Sequence, residues 1–482
     1  YISSMKERDP LIAPLEVSIV NIPIETNTNP DADTRPTQKS QSSRPLYIFF
    51  ILLVATLLNG LDSSEFTGAA NVIARDLHLT INDIGILASA FTLLITISAI
   101  PLGLLADRVK RSHVIGACLA FWSLATALTG LATNFIMLFL TRALTGIGEA
   151  GYFPAGNSLV GDVYKEEQRG KVMSWLSLAS VIGPLGGLVL GGVVAGLAPG
   201  SWRLVFLITG IPGIVLAFFA WRLREPVRHT TGRLPSAEAP GTSNIHYALA
   251  QFRNLLRIKT FVCLLVIGVF TTFTSTALQT YFPILLQQRD TFGMTSGQAG
   301  SYAGLILGPT AIIGVLLGGY LADWLTLRYA GARLLIIAFS TLVVLPFNVT
   351  SLLIAHTHNL VLFSVIMIPT FFINTLHLAP LAAALLDVVP SESRASAVAI
   401  SLFIQRILGS AFAPLLIGML AGYFDPTGLH FLHNVAGSDI VLALVCTCPL
   451  AFAGAGITSI IGLRWIRADR SAAEGEHPSQ VA

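Results

Sequence analysis

An arginine and a glutamate, Arg142 and Glu149, stand seven positions apart within Phe135–Pro154, an otherwise apolar stretch. Seven residues make two helical turns, so on a helix both side chains share a face about 10 Å apart along the axis. An ionised side chain near a bilayer centre costs roughly 2.5–3.5 kcal/mol on the insertion scale, so each needs a counter-charge, water or a task. Four more ionisable residues interrupt apolar runs: Asp62, Glu65, His377 and Arg406. Two acids around one arginine can do proton chemistry. The cation holds one carboxylate while a surplus acid, easily protonated when desolvated, takes up or releases a proton. A fixed buried ion pair that only joins helices is the alternative. Burial and the arginine act on each acid in opposite directions, so residue type alone does not say which one titrates.

The elements that must position these groups are membrane helices. Hydrophobic residues make up 53% of the 482 and charged ones 11%, with a mean hydropathy of +0.72; a soluble domain carries about 25% charged residues. Twelve apolar runs approach the ~20 residues needed to span a bilayer: 46–70, 83–106, 113–132, 135–160, 171–196, 203–222, 260–287, 297–322, 333–355, 359–386, 395–423 and 440–464. The fold class is therefore an all-α membrane protein of twelve transmembrane helices, arranged as six plus six. Of the 29 Lys and Arg residues, only Arg75, Arg203 and Arg289 fall outside, and Arg142 and Arg406 within the membrane, if both termini are cytoplasmic; the opposite orientation reverses that bias. Helical rise then puts Asp62 about 22 Å and Arg142 about 20 Å from the inner surface, level enough to pair, with Glu149 about 10 Å further in.

Residues 1–44, polar and rich in Ser, Thr, Asn and Pro, are expected to form a disordered cytoplasmic tail rather than a signal peptide. A six-helix bundle over 45–222 is followed by a linker, 223–259, whose His246–Lys259 end alternates apolar and basic residues and suits the inner membrane surface. A second bundle takes 260–465 and a tail 466–482. Cys118, Cys263, Cys446 and Cys448 sit in apolar runs without metal or disulfide spacing, and the loop histidines His356, His358, His430 and His433 are read as non-metallic. No nucleic-acid partner, metal or organic cofactor is expected. Catalytic motifs such as Gly-x-Ser-x-Gly or His-Glu-x-x-His are lacking, which argues against an intramembrane enzyme, and the lack of a nucleotide-binding glycine loop argues against direct ATP coupling.

The halves repeat. Gly103-Leu-Leu-Ala-Asp107 after the second run matches Gly319-Tyr-Leu-Ala-Asp323 after the eighth, and Asp162–Arg169 after the fourth matches Asp387–Arg394 after the tenth. Duplicated units of this kind are the architecture of secondary transporters, with the substrate near midplane between repeats. The loop Gly103–Arg111, with Lys110 where glycine is frequent, resembles the signature of the major facilitator superfamily. Arg142-x-x-x-Gly146-x-Gly148-x-Ala150 resembles its fourth-helix motif, and the likeness extends over residues 46–466. Within it, Asn59-x-x-Asp62, the Arg142–Ala150 segment and Arg394-Ala-Ser-Ala are most similar to the Spinster branch. Spinster-like carriers move lysophospholipids, sphingoid phosphates and related amphiphiles. The resemblance implies proton-linked machinery at Asp62, Arg142 and Glu149, and implies that Asp107, Arg108 and Arg111, with Asp323, Asp162, Arg169, Asp387 and Arg394, latch the outward-open state. Ser63 departs from the arginine usual after the first-helix acid.

The expected function is therefore secondary active transport, proton-coupled, of an amphiphilic or anionic small molecule by a monomer in a bacterial inner or plasma membrane. An organic-anion or drug carrier is the near alternative and a non-transporting sensor the remote one. Glu65, one turn beyond Asp62, either extends the proton path or meets water at the outer vestibule. Arg406, about 17 Å into the eleventh run, is the candidate for the substrate's anionic group, with Asn59, Ser63, Gln405 and His377 beside it; it could instead pair with an acid across the cavity, and His377 could simply pack. Asp107 and Asp323 are expected to cap helix N-termini and to pair with Arg108, Arg111 and Arg328. Gly183-Pro184-Leu-Gly186-Gly187-x-x-x-Gly191-Gly192 reads as a small-residue packing face with a proline hinge, close to an exporter-type motif.

Overall fold

The computed structural model describes residues 45–223, 252–329, 331–425 and 439–474. The predicted N-terminal tail, most of the linker, including 246–251 of the amphipathic piece, and His430 and His433 lie outside the described residues; 252–257 are helical.

The helices follow the apolar runs: α1 Pro45–Asp76, α2 Ile81–Arg108, α3 Arg111–Thr129, α4 Phe135–Glu149, α5 Tyr152–Val163, α6 Glu166–Ala195 and α7 Trp202–Trp221. The second half contributes α8 Lys259–Gln287, α9 Ser296–Thr326, α10 Ala332–Ile354, α11 Leu360–Thr375, α12 Leu378–Asp387, α13 Arg394–Gln405, a π-helical turn Arg406–Ala411, α14 Phe412–Phe424, α15 Asp439–Gly462 and α16 Ile466–Glu474. Among the described residues eleven segments are long and apolar enough to cross a membrane.

The remaining expected span, 135–160, is divided into α4 and α5 at Ala150–Gly151. Its cause is Pro154. Proline has no N–H and its ring crowds the carbonyl four residues back, here that of Ala150. Pro380 does the same to Leu376 and separates α11 from α12. The two breaks are a repeat feature written as prolines, and they put Glu149 and His377 at corresponding interruptions of their helices.

Four helix starts at the face assigned outside are closed by side chains: Thr80 with Asp83, Asn134, Thr295 with Gln298, and Asn359 each accept a bond from the first turn, while Ser201 before α7 does not. Starts at the inner face, behind Lys110, Lys165 and Gly331, have no such bond.

The halves meet at the outer end. Gly192 of α6 packs on Ser296 and Gly300 of α9, and Gly85 of α2 on Pro414 and Gly418 of the eleventh span. Asn71 Nδ2 donates to Gln287 Oε1 at 3.2 Å across the halves, while Tyr281, which meets Gly85, is held within the second half by its Oη donating to the Pro414 carbonyl at 2.7 Å. At the inner end α5, α12 and α13 pack against elements of their own half. Among the described residues the halves are joined outside and parted inside, an inward-facing arrangement.

Candidate functional site

The glycines of the fifth span set the site's position. A Cβ on Gly183 would fall 2.8 Å from the Gly60 Cα, and one on Gly191 would fall 3.1 Å from the Glu65 Cα. Small residues therefore let α6 press backbone to backbone on α1, as their spacing predicts, and turn the acid-bearing face of α1 toward α3, α4 and α7.

Asp62 is the hub. Arg142 Nη1 lies 3.3 Å from Asp62 Oδ1, and Thr126 Oγ1 of α3 donates to Asp62 Oδ2 at 2.9 Å. Glu65 and Glu149 each come within hydrogen-bonding reach of the Asp62 carboxyl, Glu149 also meeting Asn59. Thr209 of α7 donates to Glu65 Oε1 at 3.0 Å. Exposures of 1% for Asp62, 0% for Glu65, 2% for Arg142 and 4% for Glu149 enclose the cluster. Glu65 thus belongs to it and is buried in this conformation. The Arg142 guanidinium lies between the Phe66 and Phe91 rings, 5.2 and 4.6 Å from their centroids, where ring quadrupoles add to its stabilisation. Thr126, Thr209 and the two phenylalanines escaped the sequence reading, since nothing in their own spacing marks them.

Arg142 also faces a cavity of about 550 Å³ between the halves. Ser63, its Oγ bonded to the Gly60 carbonyl at 2.8 Å, lines it, as does His377, which is 1% exposed. One wall is apolar, with Val181, Leu185, Leu307 and Ala311; α8 contributes a hydroxyl-rich wall that the sequence reading did not single out. Gln405 and Arg406 are not among the lining residues. Gln405 Nε2 bonds Ser401 Oγ at 2.7 Å and packs against Gly268. Arg406, expected to be buried, is exposed at the start of the π-helical turn, with no acid within ion-pair distance among the described residues and Glu149 in electrostatic range.

At the inner face Asp107 and Asp323 fall in the last turns of α2 and α9, and the expected partner of Asp323 is corrected. Arg111 pairs with Asp162, and Arg333, not Arg328, pairs with Asp387 and with Asp323 at 3.6 Å. Arg328 instead stacks on Trp324, 4.8 Å from the ring centroid. Arg169 Nε donates to the Tyr164 carbonyl at 3.0 Å and tethers the end of α5, while Arg108 and Arg394 are exposed. His356 Nδ1 meets the Asp290 carbonyl at 3.1 Å.

The Major Facilitator Superfamily model matches residues 52–414. The chain is 31% identical to an MFS-type efflux pump of Mycolicibacterium smegmatis, covering 77% of this chain and 83% of that one. It is 26% identical to Protein spinster of Drosophila melanogaster, covering 81% and 66%. A solved bacterial homologue of the human lysosomal transporter Spinster, in an inward-facing and unoccupied conformation, superposes with a TM-score of 0.74 at 24% identity over 90% of this chain and 98% of that one. Apolar membrane helices folded around a cavity between two halves, with the likeness to the Spinster branch holding in sequence and in fold, make this a multi-pass membrane transporter of small molecules rather than an enzyme, and the chain belongs to the Major Facilitator Superfamily.

Proposed function

We propose that the protein is a proton-coupled secondary transporter that carries an amphiphilic or anionic small molecule, of lysolipid or sphingoid-phosphate type, across a bacterial inner or plasma membrane as a monomer. The bundles 45–222 and 260–465, joined by the linker 223–259, alternate access to the cavity. One observation carries the reading: three enclosed carboxyls, Asp62, Glu65 and Glu149, share the enclosed cation Arg142, whose other side faces the cavity. Carboxyls in excess of the cation are what loading and releasing a proton requires. A proton bound within the cluster loosens its hold on Arg142, and the guanidinium is then free to take the anionic group of the cargo. Departure of the proton restores the Asp62 pair and releases the cargo.

Arg406 and Gln405, with Ser63, Asn59 and His377, remain the substrate-binding proposal, Arg406 acting at the cavity's inner approach. Asp107, Arg108, Arg111, Asp323, Asp162, Arg169, Asp387 and Arg394 form the proposed conformational latch. Efflux of a drug or metabolite is the second reading, favoured by the 31% identity to the mycobacterial pump. Reconstitution into liposomes with imposed pH gradients tests the coupling. Asp62→Asn with Glu149→Gln abolishes gradient-driven accumulation while exchange at equilibrium persists, and Arg142→Ala impairs both. Accumulation by the double variant in response to the gradient would remove these acids from the proton path.

A further inference from the structure

The C-terminal wall of the cavity has a chemistry of its own. From α8 it presents Thr271, Ser275 and Gln279 in one row and Thr272, Thr276 and Thr280 in the next. Each row repeats every fourth residue, so the two form adjacent stripes on one helix face. Beside them, at the interruption made by Pro380, stand Asn374 and His377.

Part of this polarity is already used. Thr271 Oγ1 bonds the Gly268 carbonyl at 3.3 Å, and Thr276 Oγ1 meets Ser410 Oγ at 3.1 Å. Asn374 Nδ2 donates to Ser275 Oγ at 3.4 Å, but Asn374 Oδ1, on a residue 4% exposed, has no protein donor. A buried amide oxygen left without a donor costs about 1–3 kcal/mol. Ser275 keeps its own proton to donate, and the exposed Gln279 offers both an acceptor and two donors. The lining residues from this half include no carboxylate, lysine or arginine; Arg142 across the cavity is the permanent charge among them.

Neutral donors and acceptors in rows, with an unmatched acceptor among them, are suited to several hydroxyl groups on one ligand. We propose that Ser275, Gln279, Asn374 and His377 form a recognition wall for the hydroxyls of a polyhydroxylated anion, whose charge goes to Arg142. The inference rests on reading this cavity as the transport site, and it narrows the cargo within the anionic class. That chemistry has two sources: a free sugar acid, or a lysolipid whose phosphate carries a glycerol headgroup, its acyl chain lying on the apolar wall of Val181, Leu185, Leu307 and Ala311.

The test is equilibrium binding to the purified full chain in detergent, without any gradient, using two matched pairs of probes. D-gluconate and hexanoate share a carboxylate and a six-carbon chain but differ in hydroxylation. Lysophosphatidylglycerol and lysophosphatidic acid differ in the glycerol headgroup. The hydroxylated member of one pair is expected to bind at least about tenfold tighter, because a site with unpaired polar groups rejects the analogue that cannot satisfy them. A preference in the first pair identifies a sugar acid, and one in the second a lipid headgroup. Asn374→Leu, close to isosteric, and Gln279→Ala, at an exposed position, bring that ratio toward one. Equal affinity within both pairs, no binding of either hydroxylated probe, or a preference that survives both substitutions overturns the proposal. A preference that holds while pH-gradient-driven accumulation fails overturns the proton reading alone.

Discussion

Arg142 and Asp62, eighty residues apart in the chain, meet at 3.3 Å with side chains 3% and 2% exposed. Neither helix could carry its charge into the membrane alone, so each substitution removes the partner's nearest counter-charge. Asp62→Ala and Arg142→Met are each expected to destabilise, and the double variant to lose less than their sum, with a coupling of about 0.5–3 kcal/mol. Denaturant unfolding in detergent measures the cycle. Additive losses would mean that the pair does not act as one.

Thr126 on α3 donates to the carboxylate oxygen that Arg142 leaves free. Thr126→Val keeps the shape and removes the donor, at a cost of about 1.5–3 kcal/mol for a bond to a charged group. The same substitution in an Asp62→Ala background is expected to cost far less. A loss of stability equal in both backgrounds would trace it to packing.

The close approach of α1 and α6 allows no methyl group at its centre. Gly183→Ala would place a Cβ 2.8 Å from the Gly60 Cα and 2.9 Å from the Leu57 carbonyl oxygen. Pushing the helices apart is expected to cost about 1–3 kcal/mol and to move Asp62 and Glu65 relative to α3 and α7. Gly103→Ala, with no atom within 4 Å of the new carbon, serves as the control. Equal melting temperatures for the two variants would show that the contact yields freely.

The outer seal also depends on a glycine. A Cβ on Gly85 would lie 2.9 Å from the Tyr281 hydroxyl and 3.2 Å from the Gly418 Cα. Gly85→Val is expected to hold α2 away from the eleventh span and to raise the outward-open population. Spin-label distances between positions 82 and 422 would lengthen. An unchanged distance distribution would locate the seal elsewhere.

At the inner face Arg333 joins Asp387 and Asp323, whereas Arg328 only covers Trp324. Arg333→Ala is expected to shift the inward/outward balance and Arg328→Ala to leave it unchanged, as read by cysteine accessibility at the inner cavity. Equivalent behaviour of the two variants would remove the distinction.

The inner clasp illustrates what repeats do and do not disclose. Asp162 and Asp387 were legible as corresponding residues because their surrounding sequence is repeated. Arg333 was not, because the arginine that answers Arg111 stands at the start of α10 behind a loop whose local pattern differs. The break at Ala150 was written in Pro154, whose missing N–H acts four residues away. Arg406 was legible as an intramembrane charge, but its exposure was not, since depth along a helix does not say which side faces water.

Composition, run length and charge bias by themselves determined a polytopic helical membrane protein, because a bilayer admits only long apolar helices or closed barrels and sorts Lys and Arg to one side. Helical rise alone also put Asp62 and Arg142 at one level. Tertiary structure decided the rest. That Glu65 joins Asp62, that Thr126 and Thr209 complete their bonds, and that Phe66 and Phe91 flank Arg142 follow from how α1, α2, α3, α4 and α7 rotate and pack. Rotation about a helix axis is fixed by contacts with neighbours such as the Gly60–Gly183 approach. Such contacts join residues more than a hundred positions apart, and no local pattern in the chain encodes them.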